Sequence, residues 1–492
     1  MADSLKPVTL HYMNYREDLA RDQDEKLQIF HIYGNISPSH PSSASNFPTL
    51  FFGLSIGWVS PSIPQLLSPE SPLPSGPISV DEASWVSSIP YLSGAFGTVI
   101  FGWLVDHLGR KYSVYIGAVP NIIAWLLIAF ANNVIYLYIS RVFIGIAAGA
   151  VFVTVPLFVA EIAENSIRGI LGSILGILVT VGILIGQVIC TYMKFFMAPY
   201  VMLGMCIFFF AVFPVFPDTP QYLLRRNRSV EAEDALNYYR GVNQESEGDL
   251  LAQVNQEMEQ LRQEQVASTA TTSITMADFR SLATRKALVI ATILFMGRNM
   301  CGLFPLINFT ESIFRASETT LDYSVSTFIV STLAILACIL CTVLVDRTGR
   351  RLVLIASCGG SALGLLGLGV FFLVKSEGVD VSLIGWFPLV TFSIFVFLAN
   401  FGVVTVPHFV GAEILTFKIR GIVFSIMMLV SWPLLFLLTH FFLIVAEEYE
   451  MYYFVFAFFA WCVFQTIYTI FWVPETKGRS LEEISSLMVR HS

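Results

Sequence analysis

The sequence predicts an all-α membrane protein of 12 transmembrane helices in two six-helix halves, joined by a cytosolic helical linker. Three observations predict it. Hydrophobic residues make up 55% of the 492-residue chain and charged ones only 13%, against about 25% charged in a soluble domain. The apolar residues gather into 12 runs, each of about 20 residues or more and so long enough to cross a hydrocarbon core. Three short motifs of the first half return in the second in the same order, as a duplicated unit requires.

Residues 1–47 are polar, with Pro, Ser and His clusters and no apolar core of signal-peptide type. They read as a cytosolic segment before an uncleaved first helix. The spans fall near 48–67, 85–105, 112–131, 134–160, 170–192, 196–217, 286–315, 322–346, 351–375, 383–412, 421–446 and 450–473. The fourth, seventh and tenth exceed what a straight crossing needs, which predicts tilt or interruption. The first half is thus 48–217 and the second 286–474, with a cytosolic tail over 475–492. Between the first and last spans, 218–285 is the only sizeable non-membrane insert. From Ser229 to about Gln265 it is rich in Glu, Gln, Ala and Leu, and reads as a solvated helical spacer.

Charge sets the orientation. With both termini inside, 23 of the 28 Lys and Arg lie on the inner side, whereas Lys194, Arg315 and Lys375 lie outside and Arg141 and Arg298 fall within spans. The positive-inside rule then places both termini in the cytosol of a multi-pass plasma-membrane protein. The sequons at Asn35, Asn227 and Asn308 fall inside or within the membrane, so none should be glycosylated. A net charge of −8 with no basic cluster excludes a nucleic-acid partner. All seven cysteines lie in apolar runs, Cys338 and Cys341 as a C-x-x-C without a nearby His or acid. They read as packing residues. No cofactor, metal site, nucleophile–base pair or phosphate loop is visible, so an enzyme is not expected. The implied partners are the lipid bilayer and a small-molecule substrate, and no obligate protein partner is evident.

The repeats carry chemistry. GWLVDHLGRK (102–111) returns as TVLVDRTGRR (342–351), EIAENSIRG (161–169) as EILTFKIRG (413–421), and VFPDTPQ (215–221) as WVPETKG (472–478). Each sits at a cytosolic helix end. The glycine of D-x-x-G-R allows a tight turn, while Asp106 and Arg110, and in the second half Asp346 and Arg350, supply opposite charges. Glu161 and Arg168 flank the next cytosolic turn, as do Glu413 and Arg420. Opposite charges at helix ends can tie neighbours together in one state and part into water in another, which is what a gate needs.

One feature is out of pattern. FMGRNMCGLFPLINF (295–309) lies in a run with no charge between Lys286 and Glu311 except Arg298, about 18 Å along the helix at 1.5 Å per residue.

GWLVDHLGRK, RVFIGIAAGA running on to PLFVAEIAENSIRG, VDRTGRR and VPETKGRSLEEI together resemble the sugar porter family of the major facilitator superfamily, over residues 48–485. GWFPL (385–389) and AEILTFKIRG look most similar to its insect facilitated trehalose transporters. The resemblance implies the major facilitator fold and a carrier activity. It also locates the departures. Sugar porters carry QQLSGIN in helix seven, whose two glutamines and asparagine bind sugar hydroxyls. Aligned on Gly302, this chain reads RNMCGLF, so Arg298 and Asn299 replace the glutamines and Phe304 the asparagine. The helix-ten tryptophan after Pro407 is His408, and the polar position eight residues earlier is Asn400. The helix-eight asparagine is Ala334 and that of helix eleven is Leu435, while Gln187 and Trp432 match the family. At the end of helix six, Gln221 stands where the family has a basic residue. The resemblance thus implies a substrate site of Gln187, Arg298, Asn299, Phe304, Asn400, His408 and Trp432.

Amides suit neutral polyols because each both donates and accepts, whereas guanidinium offers five donors, a fixed charge and no acceptor. Gly302 and Pro305 predict a broken helix seven beside a cleft. Three placements of Arg298 follow: a substrate contact, a structural charge paired with an acid or a helix C-terminus, or a site beyond a misplaced span boundary. His408 is either a cavity contact or a packed histidine, and His440 reads as packing. The expected function is facilitative uniport of a sugar, trehalose or hexose, by alternating access. Helix one (FFGLSIGWVSPSIPQLL) holds no acid for proton coupling, which leaves His408 as the one route to it. The alternatives are a carrier of the same fold for an organic anion, with Arg298 as counter-charge, and a non-transporting sugar sensor. The short tail weighs against a sensor.

Overall fold

The computed structural model describes residues 46–163, 168–242, 248–270, 276–479, 483–484 and 486–487. The N-terminal segment to residue 45, with Asn35, lies outside the described residues, as do the side chains of Arg168 and Asp346. Among the described residues, twelve helices are long and apolar enough to cross a membrane. They are α1 (Phe47–Leu67), α2 (Val80–His107), α3 (Arg110–Ala129), α4 (Val134–Ile162), α5 (Ile174–Tyr192), α6 (Ala198–Val215), α7 (Leu282–Asn308), α8 (Tyr323–Val345), α9 (Arg350–Ser376), α10 (Ser382–Ile414), α11 (Lys418–Glu448) and α12 (Met451–Trp472). No strand occurs among the described residues.

Local chemistry sets the ends. Ser79 accepts from the Glu82 amide at 3.2 Å while the Glu82 carboxylate accepts from the Ser79 amide at 2.8 Å. This reciprocal cap, worth about 1 kcal/mol, starts α2 five residues earlier than its apolar run begins. Asp322 caps α8 without the reciprocal half, its carboxylate accepting from the Ser324 and Val325 amides at 2.9 and 3.2 Å. Along the spans, large apolar side chains such as Phe96, Trp103, Phe130 and Leu363 stay more than 60% exposed, as a helix surface facing lipid requires. The polar side chains turn inward: Asn121, Gln187, Asn299 and Gln465 are buried.

Three spans are interrupted. α3 breaks at Ala118, between Arg110–Gly117 and Val119–Ala129, because Pro120 has no N–H to continue the ladder. α7 breaks at Gly302, as its Gly and Pro predict, and is followed by a short helix, Thr310–Ser317. α10 carries a π-helical turn over Ala399–Val403. The fourth span is long without such a break, containing only Pro156. The linker differs from one continuous helix. It forms Pro220–Arg225, Ser229–Tyr239 and Gly248–Ala270, and Gly241, at φ +66°, ends the middle piece.

Within each half α2 packs on α4, α1 on α5, and α9 on α10 and α12. The halves meet where α2 lies on α11, α5 on α8, and the outer part of α7 on α1. Hydrogen bonds cross this seam from Ser331 Oγ to Gln187 Oε1 (2.6 Å), Asn308 Nδ2 to Tyr91 Oη (2.8 Å), the Glu311 amide to Ser60 Oγ (3.1 Å) and Trp432 Nε1 to Thr98 Oγ1 (2.8 Å). Ser88 Oγ and His440 Nδ1 lie 3.3 Å apart. His440, read as packing, thus also has a polar partner in the other half. These contacts run from mid-depth to the end opposite the repeated motifs, where the seam is shut.

Candidate functional site

α7 sets the centre of the site. Gly302 has φ +83°, and a Cβ there would meet the Phe458 ring at 2.3 Å, so only glycine fits both the backbone and the space. The break leaves Arg298 in the last turn of the inner half-helix, where the helix dipole favours a cation. Its side chain is buried, 6% exposed. Nη1 lies 2.5 Å from His408 Nε2. Arginine cannot accept, so it donates, and the imidazole is the neutral tautomer with its proton on Nδ1. The guanidinium carbon also lies 5.2 Å from the Phe295 ring centroid and 5.8 Å from that of Phe304, within cation–π range. Nε, also buried, has no hydrogen-bond partner among the described residues. The two residues that depart most from the sugar-porter pattern therefore hold each other, although 110 positions separate them.

Arg298 and Phe304 line a cavity of about 10 Å³ with Phe52, Tyr91, Phe152 and Trp432. That is room for about one water, so a larger occupant needs the halves or the rings to move. Phe52, Tyr91 and Phe152 were not singled out in the sequence, because aromatic residues are common throughout and nothing in their spacing sets these apart.

The remaining expected site residues fall into two groups. Among the described residues, Gln187 Nε2 and both side-chain polar atoms of Asn299 are buried without a partner, as are both of Gln465 on α12. Gln465 faces α7, since a Cβ on Gly297 would meet its Oε1 at 2.3 Å. The sequence offered no motif for it. Asn400, by contrast, spends its amide locally, donating to the Val396 carbonyl at 2.8 Å and accepting from Cys338 Sγ at 3.9 Å. Ala334 and Leu435 are buried and apolar. Arg141, the other arginine within a span, donates to the Ser55 carbonyl at 3.3 Å and lies 4.0 Å over Trp58.

At the motif end, the three echoes of each half converge. Arg110 Nε donates to Glu161 Oε1 at 2.9 Å, and Thr219 Oγ1 donates to Glu161 Oε2 at 2.5 Å. The Arg110 partner is thus Glu161 of the second motif. Asp106 is 3.9 Å away with its side chain 67% exposed. Asp218 accepts from the Lys111 amide at 3.1 Å, and burial pushes its carboxyl above the ordinary carboxylate range. In the second half, Arg350 Nη2 lies 3.0 Å from Glu413 Oε1, and Glu475 accepts from the Arg350 and Arg351 amides at 3.0 and 3.1 Å. Gly109 and Gly349 share φ +97° and +96°, so the duplication extends to backbone geometry. The pairing does not match fully: among the described residues, Glu413 Oε2 and Thr476 Oγ1 are buried without partners. Arg420 stands in the first turn of α11. Both charge pairs stay within their own half.

Two related six-helix halves around a small central cavity, with paired charges at one end, define a membrane carrier of the major facilitator fold. The family model "Sugar (and other) transporter" matches residues 44–488, and the chain belongs to that family. It is a multi-pass membrane protein. The chain is 30% identical over 486 residues to the facilitated trehalose transporter Tret1 of Polypedilum vanderplanki, covering 97% of this chain and 94% of that one. It is also 30% identical over 441 residues to Tret1 of Aedes aegypti, covering 90% of this chain but 54% of that protein, so it spans about half the length of some relatives. Among solved structures, the inward-open xylose transporter XylE of E. coli superposes with TM-score 0.72 at 19% identity, over 91% of this chain and 98% of that one. The proton:xylose symporter XylE bound to 6-bromo-6-deoxy-D-glucose gives 0.70 at 19%, with the same coverage.

Proposed function

We propose that the protein is a facilitative carrier of a sugar, of the trehalose or hexose class, in the plasma membrane with both termini cytosolic. The observation that carries this is the set of buried amide groups without partners among the described residues, namely Gln187 Nε2 and both polar atoms of Asn299 and of Gln465. Buried polar groups are nearly always satisfied, and hydroxyl-bearing cargo supplies both donors and acceptors. The substrate-contacting set is Gln187, Arg298, Asn299, Phe304 and Trp432, with His408 and Asn400 shaping it. Asp106, Arg110, Glu161, Arg168, Asp346, Arg350, Glu413 and Arg420 are the gating charges. The inner arginine-rich loops support the orientation, and the acid-free α1 supports uniport.

A second reading, carriage of an organic anion, is favoured by one observation. Arg298 is a buried fixed charge with an unused Nε and no acid paired with it among the described residues. Uptake of labelled trehalose, glucose and a monocarboxylate into proteoliposomes separates the two, with wild-type and Arg298→Gln measured per molecule. Sugar uptake retained or improved by Arg298→Gln supports the first reading. Anion uptake that weakens about 10- to 150-fold, the range for a charge-assisted hydrogen bond, supports the second. Uptake of none of these in wild-type protein refutes both.

A further inference from the structure

A second cavity, of about 310 Å³, opens at the motif end of the second half. Its lining includes Arg285 and Lys286 at the start of α7, Arg351 at the start of α9, and Tyr468 and Trp472 at the end of α12. Among the described residues that line it, none is acidic. Arg351 Nη2 donates to the Ile470 carbonyl, but its Nε is buried without an acceptor among the described residues. Arg285 makes no ion pair among the described residues. Tyr468 and Trp472 stack at 5.3 Å between centroids, while Val289, Phe471 and Trp472 at the mouth are 54%, 69% and 59% exposed. Three cations thus converge on a concave site whose mouth is apolar and lies at the ends of membrane-crossing helices.

We propose that this cavity binds the headgroup of an anionic phospholipid. Guanidinium and ammonium donors suit phosphate oxygens, and basic pockets between membrane helices hold anionic headgroups. The chemistry of the cations alone would fit any phosphate. The exposed apolar mouth selects the lipid, because acyl chains cover Val289, Phe471 and Trp472 where a free anion leaves them bare. Tyr468 and Trp472 stand at the level where aromatic side chains meet headgroups. Occupancy places a negative charge at Arg351, beside the Arg350–Glu413 pair, and ties α7, α9 and α12 together at this end.

The test is thermal unfolding of the purified full chain in detergent, titrated with dioctanoyl phosphatidylinositol 4,5-bisphosphate, dioctanoyl phosphatidylcholine or inorganic phosphate. A saturable rise in Tm with the anionic lipid alone is expected. Arg285→Gln with Lys286→Gln should raise its half-saturating concentration about 30-fold, roughly fivefold per cation. An equal rise with phosphatidylcholine, or an unchanged titration in the double variant, overturns the proposal. An equal rise with inorganic phosphate overturns the lipid assignment, because the ligand would then be a soluble anion. Should the double variant fail to fold, native mass spectrometry of the wild-type protein from mixed micelles decides. Retention of the anionic lipid no greater than that of phosphatidylcholine overturns the proposal.

Discussion

Replacing Glu161 by Gln should cost far more stability than the equivalent Glu413→Gln, although the two glutamates occupy matching places in the duplicated unit. The Arg110 and Glu161 side chains are 2% and 5% exposed, those of Arg350 and Glu413 15% and 29%. Glutamine keeps an acceptor for Arg110 and a partner for Thr219 but removes the charge, leaving a buried guanidinium supported by the Val105 carbonyl at 3.2 Å and by Asp106 at 3.9 Å. Breaking a buried pair costs about 3–5 kcal/mol, and the retained hydrogen bonds place this change near 3. The second pair is partly hydrated and its glutamate already has an unsatisfied oxygen, so about 1 kcal/mol is expected there. The difference of about 2 kcal/mol is roughly a 30-fold difference in the folded-to-unfolded ratio. Denaturant midpoints of both variants and of the wild-type protein, in one detergent, measure it, with transport per molecule as a second readout. Equal losses in the two halves, or the larger loss at Glu413, would refute the argument from burial.

Gly302→Ala should sharply lower the yield of folded protein, since the new methyl needs a left-handed backbone and meets the Phe458 ring at 2.3 Å; normal yield and unfolding midpoint would show that the break in α7 does not need glycine. Uptake should equilibrate rather than concentrate and should ignore a protonophore, because α1 holds no acid and His408 Nε2 is occupied by Arg298. Accumulation that collapses with the proton gradient would contradict this. Asp218→Asn keeps an acceptor for the Lys111 and Thr219 amides and removes a carboxylate whose burial raises its affinity for protons. A raised folded-state value means that the acid form favours the fold. The variant should therefore be at least as stable as wild type at neutral pH, with any gain fading as the wild-type carboxyl protonates on acidification. Unfolding midpoints at several pH values check it, and a loss confined to neutral pH would count against the assigned burial cost.

The spans were legible because about 20 consecutive apolar residues have few uses outside a bilayer, and the duplication because its motifs repeat at offsets of 240, 252 and 257 residues. Span ends were less legible where a cap such as Ser79 with Glu82 extends a helix through polar residues. The break in α7 could be read from Gly302, whereas that in α3 depends on Pro120 near a position that had read as continuous. In the site, the residue types at 298 and 408 marked them as unusual, but nothing in the chain says that they touch. A contact across 110 residues is a product of packing. The three motifs of each half had likewise read as separate turns, and only the folded chain shows Glu161 receiving both Arg110 and Thr219. Gln465 carried no signal because a lone glutamine in an apolar run becomes informative only when its surroundings are known to lack partners.

The π turn in α10 has a mechanical meaning. Between Ala399 and Val403 the ladder widens, the Val404 amide reaching the Ala399 carbonyl at 3.1 Å. There Ser357 of α9 acts as a surrogate rung, its hydroxyl donating to the Leu398 carbonyl at 2.6 Å and accepting from the Val403 amide at 2.8 Å. α10 is therefore two rods joined by a seam, and the seam is pinned to the neighbouring helix by one small side chain. Asn400 belongs to the seam and His408 to the rod beyond it. Eight positions apart in sequence, they sit on opposite sides of the seam, so a change in its hydrogen bonding would move His408 and its arginine relative to Asn400 while leaving each rod's own ladder intact. The widened ladder is a property of the backbone, and Ser357 bridges it at both edges.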